Sequence, residues 1–527
     1  MTTQSLIRRS EYHDSVTLML VARELLNLPS VLDAAVVMGT EANKGILAEA
    51  DLLTVEVQAA NPNDLVIAVR AENDESARAA LARAEELLAQ KRAVAAEGEE
   101  YQPRSIETAV RTEPEANLAV ISVAGRYAAG EARKALQKGL HIFLFSDNVP
   151  LEDEIELKRY AQEEGLLLMG PDAGTAIING VALGFANAVP EGSIGLVAAA
   201  GTGLQEVTSL IARQGGGISQ AVGVGGRDLS EAVGGIMMME SLMALQEDPD
   251  TQALVLISKP PAPGVAEKVL GLVRESDKPT VVCFLGGDPS AVAAAGAIPA
   301  TTLEEAALLA GRLAAASQQP VEQVIAEIKR ELERRDEGLE GLAAEARAKL
   351  TERQRYVRGL FCGGTFCYEA LLLLRDFIGN VHSNAPLEKR HKLADSNKSL
   401  AHTCVDLGED EFTVGRPHPM LDLSLRNRRI QWEAEDPETA VILLDVVLGY
   451  GVHPDPAGET AEAIRACRDA TPNPPIFVAH VCGTERDPQN LAEQKRKLRE
   501  AGALVAGSNA AAARLAGMIA RAAPAPG

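Results

Sequence analysis

The sequence is poor in aromatic residues and has no long apolar run. Phe, Trp and Tyr make up 3% of the 527 residues, so the core has to be built from Ala, Val, Leu and Ile. No segment approaches the ~18 uncharged apolar residues of a membrane helix, and we expect no membrane partner. The first residues, MTTQSLIRRSEYHDS, lack an apolar stretch followed by a small-residue cleavage site. We therefore expect a cytoplasmic protein.

Basic residues and cysteines are also few or unevenly placed. The 51 Lys and Arg residues face 74 Asp and Glu residues, which gives a net charge of −23. Without a basic stripe to neutralise phosphates, nucleic acid is excluded as the leading partner. All six cysteines lie in the second half of the chain, which is not the distribution of a disulfide framework. The composition is that of an ordinary globular protein. We expect its partner to be a small-molecule substrate.

Apolar runs and helical stripes divide the chain into four α/β units and one connector. Residues 1–95 alternate strands and helices and predict a small α/β sandwich. Residues 96–190, 191–318 and 358–527 carry buried runs between amphipathic helices, a pattern typical of parallel sheets with crossovers. We interpret the charged stretch 319–357 as a solvated connecting helix.

The last two units contain the same segments in the same order, which indicates an internal repeat. LVAAAGT at 196–202 corresponds to LFCGGT at 360–365, and each precedes a helix. ALVLISKP at 253–260 corresponds to AVILLDVV at 440–447, and TVVCFLGGDP at 280–289 to IFVAHVCGTERDP at 476–488. We therefore predict two copies of one doubly wound fold.

Each copy has a Gly-Thr junction between a strand and a helix. The residues concerned are Gly201, Thr202 and Gly203 in one copy, and Gly363, Gly364 and Thr365 in the other. A helix N-terminus with free N–H groups attracts anions, and in an open parallel sheet it lies at the ligand-binding edge. One such junction is equally typical of an ordinary capped helix. Two that can face each other favour a phosphate site.

Other turns could contribute to the same site. Asp172 lies in GPDAGT at 170–175, and Gly225, Gly226 and Arg227 lie in GVGGRD at 223–228. The guanidinium of Arg227 could pair with a carboxylate or a phosphate. The alternative for both segments is a tight turn in a Gly-rich protein.

The fourth unit holds six of the eight histidines, and two of them lie in rigid Pro-flanked loops. These loops are RPHP, with Arg416 and His418, and HPDP, with His453 and Asp455. A histidine at the ligand edge suits acid–base chemistry or anion binding, and the alternative is a histidine that stabilises its loop. No two histidines have the spacing of a zinc site, and Cys362 and Cys367 are interpreted as small packing residues, so no metal is expected.

Several segments resemble known families. Residues 117–287, with MGPDAGTAII at 169–178 and GSIGLVAAAGTGLQEV at 192–207, resemble the α subunit of succinyl-CoA synthetase, and the final third resembles the matching β-subunit domain. MGTEANKGIL at 38–47, VGRPHPMLDLSLR at 414–426 and LGYGVHPDPAGET at 448–460 resemble the FdrA family. The resemblance implies a Rossmann-like CoA-binding-type domain at 96–190 and two duplicated flavodoxin-like ligase domains.

The chain departs from the CoA synthetases at the chemistry that defines them. Where they carry a phosphorylated histidine this chain has Ala294, and where they carry the Glu that orients it this chain has SKPP at 258–261. It also lacks a Gly-rich P-loop and an ATP-grasp-like stretch. Acyl-CoA synthesis through phosphohistidine is therefore not expected, because alanine cannot carry phosphate.

The FdrA resemblance implies a transferase in allantoin catabolism. Such a subunit, with two partner proteins, would act on oxalurate and phosphate to give oxamate and carbamoyl phosphate, without a further cofactor. The helix ends would bind phosphate, and Arg227, Arg416, His418 and His453 would neutralise charge or move protons. A CoA ligase that uses another nucleophile and CoA, and a scaffold without catalysis, are the alternatives. A homo-oligomer is compatible with all three.

Overall fold

In this computed structural model the chain forms two compact units, which are residues 1–105 with 410–417, and residues 106–409 with 418–527. The structure describes residues 2–9, 11, 13, 15–26, 28–96, 103, 105–315, 319–413 and 417–521. Within these ranges no helix is both long and apolar enough to cross a bilayer.

The first unit is a three-stranded antiparallel sheet with helices, and it confirms the predicted small α/β domain. Its elements are β1 (Thr2–Arg8), α1 (Ser15–Leu26), β2 (Val31–Met38), α2 (Glu41–Glu49), α3 (Val55–Gln58), β3 (Leu65–Ala71) and α4 (Asp74–Ala96). The strand order is β1-β3-β2. Strand β1 was not predicted, because TTQSLIR has no clean alternation and is partly buried along its whole length.

The second unit begins with a short parallel sheet. Its elements are α5 (Ile106–Thr112), β4 (Leu118–Ile121), α6 (Gly125–Leu136), β5 (His141–Leu144), α7 (Leu151–Glu163) and β6 (Leu168–Met169), with strand order β4-β5-β6. Helix α6 buries Ala128, Ala132 and Ala135 against this sheet, which explains how a core with so few aromatic residues packs closely.

The next sheet has seven strands in the order β13-β12-β11-β9-β10-β7-β8. Its elements are β7 (Thr175–Ile178), β8 (Val181–Gly184), β9 (Glu191–Ala198), α8 (Gly201–Arg213), β10 (Ile218–Gly223), α9 (Ile236–Glu247), β11 (Ala253–Ser258), α10 (Pro263–Arg274), β12 (Thr280–Phe284), α11 (Pro289–Ala294), β13 (Ile298–Pro299) and α12 (Leu303–Ala315). Strands β7 and β8 are antiparallel additions, so this sheet extends beyond the predicted start at residue 191.

Helix α13 (Val321–Arg347) leads to the last sheet. It is charged as expected, but one face buries Val324, Ile328 and Leu339, so it is not solvated all round. The following elements are β14 (Tyr356–Phe361), α14 (Gly364–Ile378), β15 (His382–Ser383), β16 (Thr403–Asp406), α15 (Asp410–Thr413), α16 (Ser424–Glu435), β17 (Thr439–Val447), α17 (Pro456–Ala470), β18 (Ile476–Cys482), α18 (Leu491–Glu500), β19 (Leu504–Ala506) and α19 (Asn509–Ala520).

The two large sheets confirm the predicted duplication. The last sheet has the parallel order β15-β16-β14-β17-β18-β19. Its five strands β16-β14-β17-β18-β19 correspond one to one to β10-β9-β11-β12-β13 of the seven-stranded sheet. This is the flavodoxin-like order, in which ligands bind at the carboxyl ends of the central strands. Helices α8 and α14 follow the equivalent central strands β9 and β14, so their N-termini lie at the two ligand-binding edges.

Reciprocal contacts hold the two copies together. Glu206 on α8 accepts the N–H of Asn509 at the start of α19 (3.0 Å), and the equivalent Glu369 on α14 accepts the N–H of Leu303 at the start of α12 (2.8 Å). Each carboxylate thus caps a helix of the other copy. Because all four residues are buried, these contacts fix how the edges of the two sheets face each other.

A buried ion network joins the short parallel sheet to the seven-stranded one. Lys158 on α7 donates to Glu154 (2.9 Å) and Asp228 (2.7 Å), and all three side chains are buried. Asp228 also accepts the N–H groups of Met237 (3.3 Å) and Met238 (2.9 Å) at the start of α9. One buried ammonium therefore balances two buried carboxylates.

We expect Lys158→Met to lower the free energy of unfolding by about 3–5 kcal/mol, because it leaves two buried carboxylates without their shared cation. Urea unfolding followed by circular dichroism measures this loss. Lys138→Met removes an exposed lysine near the end of α6 and serves as the control. Equal unfolding midpoints for the two variants would contradict the role of the network.

Candidate active site

The N-terminus of α8 has uncapped backbone amides next to open space. Ala200 precedes the helix in an extended conformation, and no side chain caps the first turn. The backbone N–H groups of Gly201, Thr202 and Gly203 donate to no acceptor in the part of the chain that the structure describes. A Cβ atom on Gly201 would meet only Gly174 Cα, at 4.0 Å, so there is room next to these donors. The positive end of a thirteen-residue helix faces that space.

The two helix ends predicted to face each other are in direct contact. A Cβ atom on Gly363 would lie 2.7 Å from Thr202 Cγ2, and one on Gly203 would lie 3.1 Å from Thr365 Cγ2. Each threonine thus packs against a glycine of the other copy, and both threonines are buried. An anion cannot lie between the threonines, and the open space is to one side, at Gly201.

The N-terminus of α14 differs from that of α8 in its surroundings, because buried carboxylates lie on the residues before the helix and beside its first residue. The N–H groups of its own first turn, at Gly364, Thr365 and Phe366, donate to no acceptor in the described residues, as in α8. Asp445, on β17, accepts the N–H groups of Cys362 (2.8 Å) and Gly363 (2.9 Å). The fully buried Arg426 lies 3.4 Å from Asp445 Oδ1 and also donates to Thr460 Oγ1 (2.8 Å). Burial raises the pKa of Asp445, and Arg426 opposes that shift. The Gly363 amide is therefore unavailable to a phosphate.

Asp406, at the end of β16, faces the first residue of α14. Its Oδ2 lies 2.5 Å from the position of a Cβ on Gly364, and its Oδ1 accepts the N–H of Gly408 (2.9 Å). Asn384 fixes the backbone of Asp406 through two hydrogen bonds, of 2.8 and 2.9 Å. Burial, followed by the carboxylate of Glu409, raises the pKa of Asp406 to about 7. This carboxyl group therefore changes charge near neutral pH.

The structure places the predicted residue His418 beside Asp406. A Cβ atom on Gly408 would lie 3.2 Å from both His418 Nε2 and Asp406 Oδ1. His418 Nδ1 accepts the N–H of Met420 (3.2 Å), so the proton of the neutral ring is assigned to Nε2. Burial lowers the pKa of His418 to about 4, so at neutral pH the ring is an uncharged donor.

Phe185 connects His418 to the α8 side of the site. The ring centroids of His418 and Phe185 are 5.6 Å apart, and Phe185 Cδ2 lies 4.0 Å from the position of a Cβ on Gly174. Gly174 is also the residue next to Gly201. The open amides, Phe185 and His418 therefore surround one region at the edges of the two sheets.

Lys259 supplies a positive charge near Asp406. It follows β11 and lies over the ring of Tyr368 on α14, 5.5 Å from the ring centroid. Its charge lowers the pKa values of Asp406 and Cys367, in opposition to their burial. The segment that holds a Glu in the resembling CoA synthetases thus carries a cation here.

Arg227, Gly225 and Asp172 build a neighbouring loop. Arg227 Nε lies 2.8 Å from the buried Glu154, and its NH2 donates to the carbonyl of Val149 (2.8 Å), so its guanidinium is already engaged. Gly225 has a φ of +87°, and a Cβ there would lie 2.4 Å from the Pro171 carbonyl. Asp172 donates its N–H to Ser146. Gly226 has open space around it, and its predicted role stays a prediction.

His453 and Asp455 are engaged in holding the start of α17. His453 is buried, its Nε2 lies 2.9 Å from Glu459, and its Nδ1 accepts the N–H of Asp455 (3.1 Å). Asp455 caps α17 through the N–H of Gly458 (3.1 Å) and pairs with Lys497 (2.7 Å). The loop-stabilising interpretation describes these contacts. Arg416 lies outside the described residues.

Sequence patterns did not indicate Asp406, Asp445 or Lys259 as site residues. Asp406 and Asp445 each lie in or directly after a buried strand, where an acidic residue is rare, and that was a usable signal. Sequence comparison pointed to Lys259 only indirectly, because it lies in the SKPP segment that stands where the resembling CoA synthetases carry a Glu. No phosphate carrier is available at Ala294, which is the exposed last residue of α11.

Family models match three parts of the chain. Residues 1–104 match the model described as "AllF, heavy metal-associated domain", residues 190–286 match "CoA binding domain", and residues 360–519 match "CoA-ligase". Residues 1–104 contain no cysteine and one histidine, His13, which lies 3.0 Å from Glu11. They lack the thiolates of a soft heavy-metal site, so the residues do not fit the ion in the name of that model.

Curated relatives cover the chain to different extents. The uncharacterized protein YahF of Escherichia coli K12 is 44% identical over 512 residues, which is 97% of both chains. The α subunit of the ADP-forming succinate–CoA ligase of Staphylococcus epidermidis RP62A is 28% identical over 34% of this chain and 58% of its own length. The solved structure of PH0766 from Pyrococcus horikoshii OT3 aligns with 80% of this chain and 86% of its own length at 15% identity and a TM-score of 0.34.

The AllF-type match of the first domain, the CoA-binding and CoA-ligase matches further along the chain and the near full-length match to YahF agree with one another. The chain therefore belongs to the FdrA-like family that includes YahF, and it has a succinyl-CoA synthetase-like fold.

Proposed function

We propose that the chain is the FdrA-type subunit of a carbamoyltransferase, which forms oxamate and carbamoyl phosphate from oxalurate and phosphate together with two partner proteins. The observation that carries the proposal is the row of unpartnered amides at Gly201, Thr202 and Gly203 beside open space. They offer a phosphate oxygen several donors and the positive end of a helix.

The reaction needs phosphate and the carbamoyl carbon to be held in contact, and it needs no covalent intermediate. Phosphate bound at α8 would attack the carbamoyl carbon. In this proposal the Nε2–H of His418, whose ring lies 5.6 Å from that of Phe185, would stabilise the oxyanion that then develops. The replacement of the histidine carrier by Ala294 agrees with direct transfer. No further cofactor is required.

A carboxylate placed at residue 201 should compete with the phosphate. We expect Gly201→Asp to raise the KM for phosphate by roughly tenfold or more, because it adds a negative charge at the helix N-terminus. Gly201→Asn is nearly the same size and uncharged, and it should have a much smaller effect. Both side chains fit, since nothing lies within 4 Å except Gly174 Cα, at 4.0 Å. The measurement is carbamoyl phosphate formation by the complex; equal KM values for the two variants would contradict the site.

The two predicted histidines should differ in their effects. We expect His418→Asn to lower kcat by roughly a hundredfold, because Asn keeps an acceptor for the Met420 N–H but removes the Nε2 donor. His453→Asn keeps an acceptor for the Asp455 N–H, and it should change kcat by less than about threefold. Full activity of both variants in the assembled complex would favour the scaffold alternative, in which the partners supply the chemistry.

The similarity to succinate–CoA ligase α subunits favours one second candidate, a CoA-thioester enzyme with a different nucleophile. We expect isothermal titration calorimetry to detect phosphate binding and no CoA binding to this chain. Gly201→Asp should abolish the phosphate signal. Saturable binding of CoA that survives this substitution would support the second candidate.

A further inference from the structure

Three groups that sequence patterns did not bring together surround the first turn of α14. Asp406 is 3% exposed, and its Oδ2 faces Gly364. Lys259 lies over Tyr368, one turn further along the same helix. His418 Nε2 and the second oxygen of Asp406 each lie 3.2 Å from the position of a Cβ on Gly408. A carboxyl group, an ammonium and a neutral imidazole therefore lie around the start of α14, whose Thr365 packs against Gly203 of α8.

We propose that Asp406 donates the proton to the nitrogen that leaves the carbamoyl carbon, while Lys259 binds the carboxylate of the departing amide acid. This inference rests on the proposed function, and it adds the leaving-group side of the site to the phosphate side. It assigns the substrate class as an N-carbamoyl amide that carries a carboxylate on its acyl end.

The proposed step balances in atoms and charge. An oxygen of hydrogen phosphate attacks the carbamoyl carbon of oxalurate, and the bond between that carbon and the amide nitrogen breaks. The electron pair stays on the nitrogen, which takes the proton of the Asp406 carboxyl group and leaves as oxamate. The proton of the attacking hydrogen phosphate returns to Asp406. An amide nitrogen is a poor leaving group as an anion, so a positioned acid is needed.

The surroundings of Asp406 explain why it can be an acid at neutral pH. Its burial and the nearby carboxylates of Glu409 and Asp445 favour the protonated form, and Lys259 opposes them. His418 stays uncharged and therefore does not force the carboxyl group to ionise. The pKa of about 7 lies close to the value at which a general acid works best.

Asp406→Asn tests the proton transfer. Asn keeps an acceptor for the Gly408 N–H, so the loop should fold, and thermal unfolding of the variant verifies this. In the complete complex we expect kcat for oxalurate to fall by roughly a hundredfold or more, with the KM for phosphate unchanged. Asp395→Asn, at an exposed carboxylate of the same copy, is the matched control.

The pH profile separates proton donation from a structural role. The acid form is needed, so kcat of the wild-type complex should be level below the pKa of Asp406 and fall about tenfold per pH unit above it. The residual activity of Asp406→Asn should be flat from about pH 6 to about pH 8. A variant that keeps the wild-type descending limb, or that keeps activity within about threefold, would overturn the inference.

Lys259 is tested by binding of the product. We expect Lys259→Met to weaken oxamate binding about tenfold or more in calorimetry of the chain, and Lys259→Arg to retain most of it. Phosphate binding should not change in either variant. Undiminished oxamate binding to Lys259→Met would overturn the carboxylate role.

These outcomes also separate the inference from the proposed function. A wild-type complex that forms no carbamoyl phosphate overturns both. A wild-type complex that forms it, together with fully active Asp406→Asn, overturns only the inference and leaves the phosphate site at α8 in place.

Discussion

The position of the Asp406 carboxylate beside Gly364, the first residue of α14, is the constraint on which the asymmetry of the molecule depends. Both ligase-like copies place a helix N-terminus at the edge of a parallel sheet, and both helix ends are electrostatically suited to an anion. One of them has the carboxylate of Asp406 beside its first residue, and Asp445 binds the two amides that precede the helix. The other end has open space beside its first residue, Gly201. The two copies of the duplicated fold therefore differ in what faces the start of the equivalent helix.

The reciprocal caps at Glu206 and Glu369 explain how this asymmetry is kept in place. Each buried carboxylate binds the first amide of a helix in the other copy, so the edges of the two sheets cannot separate without uncapping two helix ends. The threonine–glycine contacts at Thr202 and Thr365 then leave no room between the helix ends. The open space lies to the side of these contacts, at Gly201.

The positive charge of Lys259, at the edge of the seven-stranded sheet, agrees with a change of chemistry on a common fold. Ala294 has no nucleophile, and the segment after β11 presents the ammonium of Lys259 where the resembling enzymes place a carboxylate. A site that no longer orients a phosphohistidine has no need for that negative charge. An ammonium next to Tyr368 and Asp406 favours an acidic substrate. A shared fold therefore does not by itself fix the reaction, because chemistry depends on a few residues at the edge of the sheet.

The sequence by itself determined the architecture. Apolar runs of strand length between amphipathic helices predicted the parallel sheets, and three ordered matches predicted their duplication, because burial and periodicity are local properties of the chain. It missed β1, whose residues do not alternate clearly, and it placed Arg227 and His453 in the site from their neighbours alone. Only the tertiary structure decided which polar groups already have partners. Glu154 is far from Arg227 in the chain, and Asp445 is 82 residues from Gly363, yet both contacts are close. Pairing between distant residues depends on how sheets and helices pack, and no pattern of spacing encodes it.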